Sequence, residues 1–475
     1  MTNLSGANLN NGAAVGPQGE GKESPSNFPK YPAYKDSGVE WLGAVPEGWK
    51  VSGIKFFADL ITGITPPSDD LDNYAEEGWP WVRPEDLNDS GKPVLASKFL
   101  TDQGWRFCRK VKRGSTLICC IGTIGKIGFV DSDVCTNQQI TAVVPRGNGR
   151  FFFYAMQALK PAFDVSATGN VLRILNSERL GNVTMAVPDH GEAESIARFL
   201  DHETARIDAL IEEQQRLIEL LKEKRQAVIS HAVTKGLDPT APMKDSGVEW
   251  LGEVPAHWEV TKLGWILNEL TYGFTNPMPT EDDGPAMLTA NDIGWGTVLY
   301  EQARSTSEIA FREMLTDKSR PKAGDLLLTK DGTLGRVAVH DGRPACINQS
   351  VALIRPDTRI MSSEFLCSLL QASCYQTKMI FDAGGTTIKH IYITILAKMN
   401  LAVPSLDEQQ ALLNFISSET CKFDRLTSEA EQVVNLLQER RSALISAAVT
   451  GKIDVRGWQP PASTPAPEFE VAEAV

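Results

Sequence analysis

Two stretches of the 475-residue chain, 192–233 and 408–449, contain neither proline nor glycine and carry core-type residues at seven-residue intervals. In the first, Leu200, Ile207, Gln214, Leu221 and Val228 share one heptad position, and Leu210 and Leu217 follow at the d spacing. In the second, Ile416, Phe423, Ala430, Leu437 and Leu444 do the same, with Leu426 and Val433 at d. The spacing predicts two long helices with a coiled-coil seam, each about 60 Å long at a rise of ~1.5 Å per residue. Polar exceptions on the seam are duplicated too: Glu203 and Glu419 near one end, Lys224 with Arg225 and Arg440 with Arg441 near the other. With Gln214 opposite Ala430 in an antiparallel pair, Glu203 meets Arg440 or Arg441, and Glu419 meets Lys224 or Arg225. A parallel pair sets like charges together, so the antiparallel coiled coil is expected. The alternative is that each helix packs only on its own neighbouring block.

Elsewhere the apolar runs are short. "STLICCI", "KIGFV" and "QITAVVP" in the first half, and "DLLLT", "RVAVH" and "SVALIRP" in the second, are bounded by Gly, Asp and Pro and predict strands joined by turns. Helical patterns follow at "FFFYAMQALKPAF" and "SSEFLCSLLQASCYQTKMI". Each block is thus a mixed α+β domain.

The two halves repeat one another. "KDSGVEWLGAVPEGW" (35–49) returns as "KDSGVEWLGEVPAHW" (244–258), identical at 12 of 15 positions. Gly63 and Thr65 match Gly273 and Thr275, "RGSTLICCIGTIGKIGFV" matches "AGDLLLTKDGTLGRVAVH", and the helical segments match through to "AVTKGLD" and "AVTGKID". The chain is therefore two copies of one unit of about 200 residues, a pseudo-two-fold internal repeat. The expected organisation is a disordered segment 1–27, a first domain 28–188, a central long helix 189–238, a second domain 239–404, a C-terminal long helix 405–455 and a disordered tail 456–475. The repeated phrase is expected to pack where domain meets helix, with Trp41 and Trp250 as its anchors.

Composition alters this picture little: 42% hydrophobic and 23% charged residues are ordinary for a folded chain. No run of 18 apolar residues and no apolar leader occurs, so the expected compartment is the cytoplasm. The eight cysteines form no CxxC pair and read as reduced thiols, with neither zinc nor disulfides expected. A net charge of −13 opposes nucleic-acid binding until it is located. Residues 35–188 carry 17 basic and 17 acidic side chains, whereas 189–238 carry 7 and 11, and 405–455 carry 5 and 8. Much of the acid lies in the helices, and a neutral domain can still present a basic face.

No phosphate loop, dinucleotide fingerprint, HExxH or GxSxG motif is present, and "TNPMP" is not the N/D-P-P-aromatic motif of amine methyltransferases. The glycines of "IGTIGKIG" and "KDGTLGRV" read as turns between strands. No catalytic residue and no metal site is assigned. What repeats is cationic: Arg106, Arg109, Lys110, Lys112 and Arg113 precede the central strand of the first block, and Arg312, Lys318, Arg320 and Lys322 that of the second. Lys126, Lys330 and Arg336 lie in the glycine turns. Such residues suit backbone phosphates, although a solvated charged loop explains them equally. Arg83, Thr289 and Asn291, with Thr65 and Thr275, are candidates for reading base edges.

These features resemble the DNA-specificity subunit of type I restriction-modification systems over roughly residues 35–455. The resemblance rests on the duplicated "VEWLGxVPxxW", on "AVPSLDEQQALLNFI", on "ERRSALISAAVTGKIDVRG", and on the order block, helix, block, helix. In the first copy Glu192-Ala193 stands where the second has Glu408-Gln409, which is expected to weaken one helix-capping contact. The resemblance implies two target-recognition domains reading an asymmetric bipartite duplex, with half-sites about one helical turn (~34 Å) apart. It implies a coiled-coil ruler, two docked modification (methyltransferase) subunits, and restriction subunits beyond them. The S-adenosylmethionine and ATP chemistry then belongs to those partners, leaving this subunit non-catalytic and without a cofactor. Alternatives are a specificity protein of another restriction system, a solitary DNA-binding protein, a coiled-coil scaffold that binds proteins alone, or an unrecognised enzyme.

Overall fold

The computed structural model describes residues 28–169, 172–385 and 389–460. The segment 1–27 and most of the tail 456–475, both expected to be disordered, lie outside the described residues. The chain divides into two compact units, residues 1–213 with 434–475, and residues 214–433. Both long helices, His190–Lys235 and Leu406–Val449, pass from one unit into the other. Each unit therefore holds one block and one half of each helix.

In the first unit a four-stranded antiparallel sheet runs in the order Ile127–Phe129, Thr116–Cys119, Ile140–Pro145, Ala58–Thr62. The second unit repeats it as Val337–Val339, Leu326–Thr329, Val351–Pro356, Leu267–Tyr272. Three strands of each sheet are those that the apolar runs predict, trimmed by a residue or two at their ends; Ala58–Thr62 and Leu267–Tyr272 are additional. The repeated glycines join this sheet to a second one, of five short strands in the first unit and three in the second. A Cβ on Gly63 would sit 2.2 Å from the Thr136 carbonyl oxygen, and one on Gly273 only 1.7 Å from that of Ile347, so both positions exclude a side chain. Gly122 and Gly125, between Thr116–Cys119 and Ile127–Phe129, and Gly332 and Gly335, between Leu326–Thr329 and Val337–Val339, take positive φ, which makes the glycine-rich segments hairpin turns.

Helices Gly149–Ala158 and Ser363–Gln371 cover the sheets, each started by a side-chain cap, Asn148 to the Phe151 amide (2.9 Å) and Ser362 to the Phe365 amide (3.1 Å). Both predicted helical patterns are broken: after Leu159 in the first, and at the extended residue Ala372 in the second.

The repeated phrase is anchored differently from expectation. Trp41 is 42% exposed and Trp250 is half-buried against Tyr375, whereas Trp49 and Trp258 are fully buried. Their indole N–H groups donate to Glu192 (3.1 Å) and Glu408 (3.0 Å) in the first turns of the long helices. The second tryptophan of the phrase thus fastens block to helix. Buried indoles require an acceptor, and the helix start places a carboxylate where it also faces the positive end of the helix dipole.

The capping expectation is also revised. Asp189 accepts from the Glu192 amide (2.9 Å) as Ser405 does from that of Glu408 (3.3 Å), so both helices are capped. The difference lies one residue on. Gln409 is fully buried and bridges three backbone groups, taking the Ser362 amide (2.9 Å) and donating to the carbonyls of Ile360 (2.8 Å) and Pro404 (3.0 Å). At Ala193 that bridge is missing, and a hollow of about 580 Å³ opens among Arg146, Asn148, Pro188 and Ala193.

Within each unit the helix halves run antiparallel. In the second, Gly236 lies beside Glu408 and Arg225 pairs with Asp424 at 2.8 Å. In the first, Glu192 and Gly451 both approach Trp49, and Arg441 pairs with Asp208 at 2.8 Å. The basic partners are those expected, but the acids lie five residues beyond Glu203 and Glu419. Glu203 instead bonds His202 (2.9 Å), and Glu419 bonds Lys422 (2.6 Å).

The seam explains the shift. Leu200, Ile207, Leu221, Ile416 and Leu444 are buried, and Gln214, Val228, Phe423 and Leu437 half-buried, as expected. Leu210, Leu217, Leu426 and Val433 are each at least 40% exposed, and Lys224 is exposed too. The second line of the seam falls four residues on, at Thr204, Ile211, Ile218 and Arg225, and at Thr420, Thr427, Val434 and Arg441, all buried or half-buried. At 100° per residue, three and four steps land on opposite sides of the first line, and at Leu210/Ile211, Leu217/Ile218 and Val433/Val434 both carry apolar side chains.

In the first unit the two ends of the described chain meet: the Asp454 amide donates to the Pro29 carbonyl (2.7 Å), and Phe28 and Trp458 both stack edge-on against Phe199.

Candidate nucleic-acid interface

Each block carries a small core apart from its main one. In the first unit Trp81, Leu100, Cys108 and Cys135 cluster with Tyr74 and Trp105, and in the second Met287, Leu315 and Cys346 cluster with Phe274, Met278 and Phe311. The strands beneath match: Trp79–Val82 runs parallel to Val134–Thr136, and Glu281–Leu288 parallel to Ala345–Ile347. Burial pushes the Cys346 thiol up to about 12, and a hydrogen bond with Cys108, together with burial, raises the Cys135 thiol well above its ordinary range. These thiols are packing groups at neutral pH.

On each small core sits a one-and-a-half-turn helix, Asp102–Phe107 in the first unit and Glu308–Glu313 in the second. Both start the same way: Thr101 caps the Gly104 amide at 3.2 Å and Ser307 caps that of Ala310 at 3.1 Å. Trp105 and Phe311 turn inward. Trp105 stacks on Trp79 (4.4 Å, 16°), whose indole N–H donates to Asp102 (2.8 Å). A Cβ on Gly104 would lie 2.2 Å from the Asn73 carbonyl, which holds the first helix close to its support. Arg106 and Arg312 turn outward, the latter ion-paired with Glu308 at 3.4 Å.

The sequence-predicted cations divide into two groups. Arg106, Arg109, Lys110, Lys112 and Arg113 are all exposed around the end of the first short helix. Arg312, Lys318 and Lys322 are exposed around the second. Arg109 donates to the Thr62 carbonyl (3.1 Å), and the Lys110 ammonium lies 5.9 Å from the Trp105 ring centre, so both are held near the small core. The rest are engaged by the protein. Lys126 donates to the Pro84 carbonyl (2.9 Å), and Arg320 to the Leu315 carbonyl (3.0 Å) while lying over Phe311. Lys330 is 6% exposed between Asp331 and His390, and Arg336 is half-buried.

The candidate base readers are similarly placed by structure. Arg83 pairs with Glu85 (2.8 Å), and the Thr289 hydroxyl is bonded to Asp292 (2.7 Å) in a capping box. Thr65 donates to Gln138, while Thr275 and Asn291 are exposed. Sequence reasoning missed Lys98 and Arg304, both exposed beside the small cores, Lys98 just before the strand Phe99–Leu100 and Arg304 in the edge strand Arg304–Ser305. The Trp81 amide donates to the Lys98 carbonyl (3.0 Å), and Met287 pairs in register with Arg304. The signal was the shared 206-residue offset with Arg106 and Arg312, hidden because neighbouring residues do not repeat.

Among the described residues no cluster of metal-ligating side chains occurs, and no helix is long and apolar enough to cross a membrane.

The family described as "Type I restriction modification DNA specificity domain" matches residues 46–221 and 302–435. The chain is 21% identical to the type I restriction enzyme EcoBI specificity subunit of Escherichia coli over 437 residues, 89% of this chain and 90% of that one. It is 23% identical to the MjaVIII specificity subunit of Methanocaldococcus jannaschii over 87% of this chain and 94% of the relative. A chain from a structure of the type I R-M system shares the fold with a TM-score of 0.65 at 14% identity, over 85% of this chain and 98% of that one. Two blocks of one architecture, two shared long helices and these matches have one common reading: the chain belongs to the type I restriction modification DNA specificity family.

Proposed function

We propose that this protein is the sequence-reading, non-catalytic subunit of a type I restriction-modification complex. Its two blocks, 28–188 and 239–404, each read one half of an asymmetric bipartite duplex. Methyltransferase subunits, two by the two-fold logic of the repeat, and restriction subunits dock on the assembly in the cytoplasm and supply the cofactors. The observation that carries this reading is the duplicated short helix, set on its own small core and ringed by exposed cations in an otherwise acidic chain. Exposed Lys and Arg held on a rigid support match a phosphate backbone, and they give affinity that falls steeply with salt. The DNA-contact set is then led by Lys98, Arg106, Arg109, Lys110, Arg304 and Arg312, with Lys112, Arg113, Lys318 and Lys322 beside them.

The test is co-expression with the modification subunit encoded in the host. A complex that methylates adenine in a two-part sequence is expected. A complex that forms but binds no duplex at low salt would leave the protein-scaffold reading in its place.

A further inference from the structure

The two short helices share a frame and differ in what they show. The cap (Thr101, Ser307), the first-turn acid (Asp102, Glu308) and the inward aromatic (Trp105, Phe311) correspond in type, and the outward arginine (Arg106, Arg312) is the same. The second and sixth positions do not correspond: Gln103 and Phe107 in the first helix stand where the second has Ile309 and Glu313. Residues four apart lie on one helical face, and here that face is outward. Phe107 is 55% exposed and Ile309 is 69% exposed, while Gln103 and Glu313 are exposed as well. An open hollow of about 730 Å³ is lined by Asp102, Gln103, Arg106 and Phe107.

Neither apolar side chain is needed by the core beneath it. Large exposed side chains on a rigid support, on the same helical face in both units though one turn apart, and beside exposed cations, mark a contact surface for a polyanion that also offers apolar groups. Duplex DNA does so through the thymine methyl group in the major groove.

We infer that the helices Asp102–Phe107 and Glu308–Glu313 are the base-reading elements, and that the pairs Gln103 with Phe107 and Ile309 with Glu313 set the base preference of the two half-sites. The inference rests on the DNA-recognition reading above. A protein that reads two different half-sites with one frame must place the difference on residues that the frame does not fix. The shared arginines then serve phosphate, because a contact common to both halves carries no distinction between them. The side-chain chemistry assigns preferences. Asp70 accepts one amide N–H of Gln103 (3.1 Å) and so orients the amide, whose remaining groups suit adenine N6 and N7. Phe107 and Ile309 suit thymine methyls, and the Glu313 carboxylate suits the cytosine N4 amino group. The first half-site should therefore be A·T-bearing at this helix, and the second should include a C·G pair.

The experiment is selection of bound duplexes from a randomised library by the full-length chain in complex with its modification subunits. Three proteins are compared: the native chain, Gln103→Ile with Phe107→Glu, and Ile309→Gln with Glu313→Phe. All four positions are exposed, and the half-site read by the untouched unit reports that each variant is folded. Each double variant is expected to change the consensus in one half only. Affinity for the original half-site, taken as a ratio to the same variant's affinity for non-specific duplex so that the altered charge cancels, should fall by roughly 5- to 150-fold, the range for losing a good base contact. Arg106→Ala should instead weaken binding to all duplexes and lower the salt slope by about one. If the native complex selects a bipartite consensus that neither double variant alters, the base-reading assignment is wrong and the DNA-recognition reading survives. If the native complex selects no consensus, both fall.

Discussion

The two tryptophans of the repeated phrase show what a residue-level pattern conveys. Both recur in both copies, so repetition alone cannot rank Trp41 against Trp49. Burial and a hydrogen-bond acceptor rank them: Trp49 is 1% exposed with its N–H on Glu192, while Trp41 is 42% exposed. Trp49→Ala is expected to lower stability by about 3–5 kcal/mol, as for other buried aromatics, and Trp41→Ala by under about 1 kcal/mol. Chemical denaturation of the two variants separates them, and a larger loss on Trp41→Ala would return the anchor to Trp41. The Ala193 and Gln409 pair was visible in the sequence as a departure, but its consequence was not. Of the three backbone groups that Gln409 bridges, two, on Ser362 and Ile360, are distant in sequence. Gln409→Ala strands those buried groups and should cost on the order of 2–3 kcal/mol. Ala193→Gln extends a side chain into the hollow of the first unit and should gain about 1 kcal/mol. A loss of stability on Ala193→Gln would show that the hollow is not shaped like the Gln409 site.

At the level of elements, most of the fold was legible. Strands such as Ile140–Pro145 and Val351–Pro356 are largely apolar runs without polar alternation because both of their faces are covered, and such runs stand out from their turns. The long helices were legible from length and from the absence of breakers. Their seam was legible only by half, since Leu210 competes with Ile211 and Leu217 with Ile218 for the second line. The decision is made by the partner helix, whose matching line runs through Thr420, Thr427, Val434 and Arg441. Ile218→Ala, at a position 7% exposed, should therefore destabilise by roughly 2–4 kcal/mol, and Leu217→Ala, at 42% exposure, by under about 1 kcal/mol. Thermal unfolding of the two single variants tests this, and the reverse order would restore the seam expected from the sequence. The base-reading helices were the least legible elements. Search by repetition finds Arg106 and Arg312, which are shared, and passes over Gln103, Phe107, Ile309 and Glu313, whose value lies in being different.

For the molecule as a whole, the repeat fixes the logic of assembly: two blocks, and two helices that each pass through both units. A continuous helix of 46 residues spans about 69 Å at ~1.5 Å per residue, so the distance along it is set by residue count, not by a flexible linker. If the blocks read two half-sites, that count also sets the number of unread base pairs between them. Removing one heptad from the middle of each long helix keeps the seam in phase, because seven residues return it to the same face. It shortens each helix by about 10 Å, close to the length of ~3 base pairs of B-DNA at 3.4 Å each. The half-site sequences should be unchanged, since the short helices and their small cores are untouched, while the gap between them shrinks by about three base pairs. Mapping of methylated adenines in cells carrying the shortened chain reads both quantities at once. A gap that stays constant while methylation persists would mean that the spacing is set by the docked subunits and not by these helices.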